Sequence, residues 1–380
     1  MNETTTGILK RVNKGRFTVR SVERFYRAGP SDVMVYPDLI NRFGLIEGAA
    51  VTGQVARKKG KSRLVSIESL GGMSPEAFQK RPHFSDLVAI DPEERFDLGS
   101  CGQESMRIVD LISPIGKGTR QLIVSPPKAG KTVLLEHIVH AIHHCHQQSR
   151  IIVLLVDERP EEVTHFRRAV EGAEVVASTS DHSVKEHIEL AELMLAHVQT
   201  ELECGREVVL LIDSLTRLAR AYNSKGGGQG SARGHTMSGG LEAGILEVPR
   251  RLFGLARNIE NGGSVTIIAT CLIKTGSRMD QLIFEEFKGT GNSEIVLDRL
   301  LAEARIFPAI DIRASGTRKE AMLYSEQHIR SLAILRRVLS NYRDREAMDC
   351  LFKLLRKYPN NEDFLESMCG SGQNLSGLFP

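Results

Sequence analysis

Eight consecutive residues, Ser125-Pro126-Pro127-Lys128-Ala129-Gly130-Lys131-Thr132, combine the types needed to hold a nucleoside triphosphate. The apolar run Gln121–Val124 leads into them, and a helical pattern over Lys131–His146 follows. Strand, tight loop and helix in that order are what a phosphate-binding loop requires. Backbone N–H groups of the loop and of the helix start would cradle the phosphates. Lys131 would reach the terminal phosphates, and the Thr132 hydroxyl would ligate Mg²⁺. The string departs from GxxxxGK[ST] at its first position, where Ser125 stands in place of glycine.

Two acidic positions complete this chemistry. Val208–Ile212 reads as a buried strand ending in Asp213, which is placed to orient Mg²⁺ or its waters. Thr132 and Asp213 are therefore the expected metal-binding pair, although an Asp that merely caps the next helix gives the same pattern. Leu155-Val156-Asp157-Glu158-Arg159 puts a carboxylate pair at the end of another apolar run. Ligands of doubly wound sheets bind beyond such strand ends, so Glu158 is placed to polarise an attacking water. Solvated loop acids are the alternative. His137, His140, His143, His144 and His146 form a further cluster with Cys145. His140 and His144 have a helical spacing that can hold a metal. The polar outer face of a helix lined inside by Val133, Leu134, Ile138, Val139 and Ile142 is the simpler reading.

The elements that must position these residues are legible in the apolar pattern. Gln121–Val124, Ile151–Val156, Val208–Ile212 and Ser264–Ala269 alternate with helical stretches that include Lys131–His146, Ser183–Leu202 and Pro249–Asn258. Continuous apolar runs between helices predict an α/β domain whose parallel sheet is covered on both faces. Upstream, Ile8–Arg11, Arg16–Val22, Val33–Tyr36, Val51–Ala56 and Ser62–Ser69 read as short strands. With one or two helical turns over Pro37–Phe43, they fit an OB-like barrel, and an SH3-like barrel has a similar strand count. Gly71–Asp97 has no sustained period and reads as a linker. The expected organisation is a barrel at 1–72, a linker at 73–105, an ATPase domain at 106–360 and a tail at 361–380.

Composition narrows the class. Of 380 residues, 41% are hydrophobic and 26% charged, which excludes a disordered chain. The longest aliphatic run, Ile151–Val156, is far short of the ~20 residues of a membrane span, so no membrane partner is expected. The six cysteines form no CxxC pair, and the N-terminus lacks a signal-like apolar region. Both point to a cytoplasmic location. The net charge of +3 is uneven: residues 1–82 hold 15 Lys/Arg against 7 Asp/Glu, and the remainder holds 35 against 40. A basic module on a slightly acidic body suggests a polyanion-binding appendage, or a surface that serves only solubility.

Longer strings carry a family resemblance. Asp157–Thr164, Leu211–Asn223, Phe287–Asn292, Arg305–Asp311 and Ser315–Glu320 resemble the transcription termination factor Rho family, as does Ser125–Thr132. The resemblance runs nearly continuously from Arg107 to Tyr342. It implies a RecA-like P-loop motor that assembles as a homohexameric ring and moves along single-stranded RNA by hydrolysing ATP with Mg²⁺. It implies that Lys128, Lys131 and Thr132 hold the phosphates, that Glu158 is the general base and that Asp213 is the Walker B acid. Arg318 matches the arginine finger presented to a neighbour's ATP, and Arg159, Arg217 and Arg305 match positions around the same interface. The glycine-rich segment Ser224–Gly240 matches a pore loop that grips RNA, with His235 where the family has lysine, beside Thr236, Met237, Gly239 and Gly240. A second pore loop falls at Thr275–Asp280, with Arg278 in place of lysine. RNA polymerase and its elongation factors are further partners that the resemblance suggests.

The barrel departs from the family pattern. Lys14–Arg20 corresponds to an aromatic strand that stacks bases, yet it holds only Phe17, with Arg16 and Thr18 at the stacking positions. Arg63-Leu64 stands where another aromatic is expected, whereas Tyr26 matches. The expected RNA contacts are Arg16, Phe17, Arg20, Tyr26, Lys58, Lys59 and Arg63, a barrel that holds phosphates but reads bases poorly. Alternatives are a specialised family member without a general termination role, a rotary ATPase subunit, and an RNA-binding ring that has lost turnover.

Overall fold

Alternation of apolar and polar residues in the first 70 positions closes a small barrel. The computed structural model of the chain describes residues 3–13, 15–58, 60–226 and 244–370. Strands β1 (Glu3–Asn13), β2 (Arg16–Arg20), β3 (Val33–Val35), β4 (Ala50–Lys58) and β5 (Lys61–Leu70) join in the order β1-β2-β3-β5-β4, with helix α1 (Pro37–Phe43) between β3 and β4. Leu9, Phe17, Val19, Val35 and Leu64 fill its core. Phe17 and Val19 point inward, so strand alternation turns Arg16 and Thr18 to the outer face.

The second body begins inside the expected linker. Helix α2 (Pro75–Gln79) buries Phe78 under the barrel, and β6 (Ala89–Ile90) pairs with a strand of the main sheet. Phe96 and Leu98 are fully buried, so the 73–105 segment is laid onto the protein rather than spanning a gap. Polar and Pro/Gly content hid these short anchors, which are too brief to show a period.

Then follow α3 (Glu104–Ile112), β7 (Arg120–Ser125), α4 (Lys131–Cys145), β8 (Arg150–Glu158), α5 (Pro160–Ala169), β9 (Ala173–Thr179), α6 (Val184–Glu203), β10 (Glu207–Asp213) and α7 (Leu215–Gly226). Beyond residue 243 come α8 (Glu247–Phe253), β11 (Arg257–Ile259), β12 (Ser264–Leu272), α9 (Arg278–Thr290), β13 (Ser293–Val296), α10 (Arg299–Glu303) and β14 (Gly316–Thr317). Three helices close the chain: α11 (Glu326–Leu339), α12 (Asp344–Leu355) and α13 (Asn361–Gly370). The expected helix Pro249–Asn258 is instead α8 followed by β11, because Arg257–Ile259 pairs with β6 and β12. The expected tail at 361 is also displaced. Phe364, Leu365 and Met368 of α13 are buried in the main core, so packed structure continues to residue 370.

The sheet runs β14-β13-β7-β12-β10-β8-β9, with the six strands from β13 to β9 parallel and β14 antiparallel at one edge. Ile123, Val153 and Leu211 face one apolar core, and Leu122, Leu154 and Leu210 face the other. Two buried faces explain why these strands read as unbroken apolar runs.

The barrel is docked on the N-terminal ends of β8 and β9 and on α6. Tyr26 Oη donates to Glu174 Oε1 (2.5 Å), and Arg150 bridges Glu174 Oε2 and Glu201 Oε2 at 2.7 Å each. The fully buried His197 contacts the Gly48 carbonyl at 2.7 Å through Nδ1. Gly48 has φ 88°, and a Cβ there would lie 2.3 Å from the Ala196 carbonyl carbon, so only glycine allows this approach.

Candidate nucleotide site and nucleic-acid interface

β7 ends at Ser125 and α4 starts at Lys131, so the loop between them lies beyond the C-terminal end of the central strands. Ser125 is buried, and its hydroxyl donates to the Pro126 carbonyl (2.8 Å). Lys128 and Gly130 are left-handed, with φ 64° and 87°, a backbone geometry that can turn successive N–H groups toward an anion. A Cβ on Gly130 would stand 3.2 Å from the Phe307 ring. Ala129 is buried in the core and anchors the loop.

Three parallel strands bring the charged groups together. Lys131 Nζ pairs closely with Asp213 at the end of β10 and lies 3.9 Å from Glu158 Oε1 at the end of β8. Thr270 of β12 donates to Asp213 Oδ1 (2.8 Å) and fixes that carboxylate. Arg217, on the first turn of α7, donates to Glu158 Oε2 (3.2 Å) and to the Asp157 carbonyl. Burial, then the charge of Asp213 and the neighbouring Glu162 carboxyl, push the Glu158 pKa up to about 8, against the pull of Lys131 and Arg217. Glu158 Oε1 is buried without a hydrogen-bond partner. A carboxylate poised near neutrality beside a phosphate loop can accept a proton from water.

Beside the loop is a mostly apolar cavity of about 410 Å³, lined by Val133, Leu134, Leu297, Phe307, Pro308 and Ala309, with Ser105, Lys128 and His137 as polar members. Ser105 Oγ and His137 Nδ1 are 2.8 Å apart, and burial lowers the His137 pKa. Phe307 is 47% exposed, a large apolar surface for a ring next to a phosphate loop. Phe307 is not among the expected site residues. Its signal was an aromatic before Pro308 in the Arg305–Asp311 string.

The remaining expected residues are distributed unevenly. Arg159 caps the start of α5, is largely exposed and reaches Glu162 (3.9 Å) rather than the Lys131 cluster. Arg318 is exposed next to β14; Thr317 pairs with Ser293, and Ser293 with Gln121. Gln121 lies at the opposite end of β7 from Ser125, so Arg318 is at the far end of the sheet, on the order of 10–15 Å away along the strand. It does not face this chain's own phosphate loop.

The barrel corrects three expectations. Phe17 is in the barrel core and Tyr26 is buried against Glu174, so neither ring is open to a base. Arg20 is also committed, to the Tyr26 carbonyl (3.2 Å) and to Asp32 (3.7 Å). Arg16 and Arg63 are exposed on the outer face. Lys58 pairs through its backbone with Lys61 in the β4–β5 hairpin, and Arg278 is exposed at the start of α9. Lys59, His235, Thr236, Met237, Gly239 and Gly240 lie outside the described residues. Among the described residues, no group of three His, Cys, Asp or Glu side chains is placed to hold a metal ion, and no helix is long and apolar enough to cross a membrane.

A phosphate loop, a buried carboxylate and a strand-end acid on a parallel sheet behind a β-barrel define a RecA-like P-loop ATPase with a nucleic-acid-binding module. Family models divide the chain in the same way. Residues 105–317 match the nucleotide-binding domain of the ATP synthase alpha/beta family, and residues 5–76 match the RNA-binding domain of the Rho termination factor. The chain is 46% identical over 369 residues to the transcription termination factor Rho of Chromobacterium violaceum, covering 95% of this chain and 87% of that protein. It is 46% identical to the Rho of Aquifex aeolicus (95% and 84% covered) and 44% identical to that of Cereibacter sphaeroides (95% and 86%). Among solved structures, an ATPase from the type III secretion system of pathogenic bacteria shares the fold, with TM-score 0.63 and 23% identity over 83% of this chain and 93% of that one. The assembled ATPase EscN from enteropathogenic E. coli does so with TM-score 0.60 and 20% identity, over 95% and 98%. The chain belongs to the transcription termination factor Rho family, and it is an RNA-dependent ATPase with an RNA-binding domain ahead of its motor domain.

Proposed function

We propose that the chain works as a homohexameric ring that moves along nascent RNA in the cytoplasm and dislodges transcription complexes, with each ATP site completed by a neighbouring subunit. One observation carries the reading: the phosphate loop and Glu158 are assembled within the chain, whereas Arg318 is exposed at the other end of the sheet. A guanidinium so placed serves a neighbour's γ-phosphate, not its own.

In this reading Ser125–Thr132 wraps the phosphates, and the base enters the slot beside Phe307. Lys131 exchanges Asp213 for the terminal phosphates. The Thr132 hydroxyl and the Asp213 carboxylate are hard oxygen donors that suit Mg²⁺, and the unpartnered Glu158 Oε1 leaves an acceptor free for a water. Held by Thr132 and Asp213, Mg²⁺ would supply positive charge against the phosphates. Glu158 takes the proton of the attacking water, and Arg217 holds that carboxylate in line. Arg278 and the 224–240 segment provide the grip on RNA in the ring's pore. Arg16 and Thr18, where the family carries aromatics, favour a member whose barrel is less selective for bases and whose role is specialised.

Mixing tests the shared site. Arg318→Ala and Lys131→Ala are each expected to be inactive alone, and a finger typically contributes ~10³–10⁵ in turnover. Mixed rings contain interfaces with an intact Lys131 facing an intact Arg318, so partial activity returns. An Arg318→Ala protein with unchanged RNA-stimulated turnover, or a fully active monomer, contradicts the proposal.

A further inference from the structure

On the outer face of the barrel stands an aromatic, Tyr36, that is not among the expected RNA contacts. Tyr36 is half-exposed, one residue beyond β3, and it precedes Pro37. The following proline restricts Tyr36 to extended backbone, here φ −103° and ψ 166°. The strand β3 turns Val33 and Val35 into the core, which leaves Met34 and Tyr36 on the outside. Neighbouring strands supply two guanidinium groups: Arg63 stands 4.8 Å and Arg16 6.0 Å from the Tyr36 ring centroid. Both distances are within cation–π range. Thr18 shares the outer side of β2 with Arg16, and its hydroxyl is buried without a hydrogen-bond partner. Among the described residues the one carboxylate against the two arginines is Asp38, on Arg63 at 2.7 Å, and that pair is solvent-exposed on both sides.

We propose that Tyr36, flanked by Arg16 and Arg63, is a stacking shelf for a single nucleobase of single-stranded RNA. This rests on the reading of the barrel as an RNA-binding module, and it adds a base contact where only phosphate contacts were expected. The arginines neutralise the phosphates on either side of the stacked base, or stack on its exposed face, and the ring gives affinity without demanding one base. With only one ring, the shelf holds one base rather than a pair. Arg63 exchanges its exposed Asp38 partner for phosphate, a small cost for a surface pair.

The test uses the full-length protein without nucleotide and measures binding of short uridine and adenosine oligomers across a range of salt concentrations. Tyr36→Ala is expected to weaken binding roughly fivefold to a hundredfold with an unchanged salt slope, because no phosphate contact is lost. Tyr36→Phe keeps the ring and stays within about twofold of the parent protein. The Arg16→Ala/Arg63→Ala pair lowers the salt slope by about 0.7 for each phosphate released. Photocrosslinking of 5-iodouridine oligomers to the unmodified protein is expected to label the peptide carrying Tyr36, a readout independent of variant folding. Normal binding by Tyr36→Ala, equal loss in Tyr36→Ala and Tyr36→Phe, or crosslinks confined to other barrel peptides each overturn the shelf. If the arginine pair still weakens binding in those cases, the barrel remains an RNA module. If neither the arginine pair nor Tyr36→Ala changes binding, both readings fall.

Discussion

Replacing Phe307 by alanine separates recognition of the base from chemistry at the phosphates. The ring forms one wall of the apolar slot of about 410 Å³ beside the loop, and it is 47% exposed. It lies on the side of Gly130 where a Cβ would stand 3.2 Å from the ring. A purine entering the slot covers that exposed face. Stacking of a base on an aromatic ring is worth ~1–3 kcal/mol, which corresponds to roughly fivefold to a hundredfold in affinity. The groups that act on phosphate are on α4, β8 and β10 and do not depend on the ring. Phe307→Ala is therefore expected to raise KM for ATP within that range with kcat nearly unchanged, the mark of lost uniform binding. Phe307→Tyr keeps the parent KM. Tripolyphosphate, which has no base, is expected to bind the parent and Phe307→Ala alike. Steady-state hydrolysis together with calorimetric titration reads all of these. A variant that loses kcat at constant KM, or binds tripolyphosphate as poorly as it binds ATP, refutes the assignment of the slot to the base.

Other outcomes follow from the same geometry. Glu158 acts as a base only when deprotonated, and its raised pKa of about 8 makes kcat/KM rise with pH through that region and level off above it, a limb that a pH–rate profile will show. Arg217→Ala removes a cation that stabilises the Glu158 carboxylate, so the same limb should move to higher pH while ATP affinity is retained. Tyr26→Phe deletes the bond to Glu174, with an expected loss of roughly 1.5–3 kcal/mol in denaturant unfolding and no change in base preference, because that ring is buried. Gly48→Ala forces a Cβ onto the Ala196 backbone at a positive φ, and loss of about 1–3 kcal/mol with weakened barrel docking is expected in thermal unfolding or limited proteolysis.

Much of the motor was legible because its signals are local and repetitive. The runs before Ser125, Glu158 and Asp213 are unbroken because both sheet faces are covered, and each run ends at a residue of the candidate site. β9 escaped notice because its run, Ala173–Thr179, begins with Ala and Glu, the latter committed to Tyr26 and Arg150. The base slot was invisible because its walls come from α4, the start of β13's following loop and the Phe307–Ala309 turn, which are far apart in sequence. The barrel's strands were legible by alternation, but the role of its aromatics was not. Tyr26 matches the family by position and Phe17 falls between the stacking positions, yet which ring faces solvent depends on register and on the docked motor. Tyr36 carried only the weak signal of an aromatic before proline.

The most direct measurement of the central claim is ATP hydrolysis by the parent protein and by Glu158→Gln, each with and without single-stranded RNA. We expect RNA to stimulate the parent strongly. Glu158→Gln should bind ATP with near-parent affinity and lose roughly 10²–10⁴ in turnover, because the amide keeps the shape of the site but cannot accept the proton of the water. Hydrolysis that ignores RNA, or equal turnover by parent and Glu158→Gln, would contradict the reading of this chain as an RNA-dependent motor with Glu158 as its base.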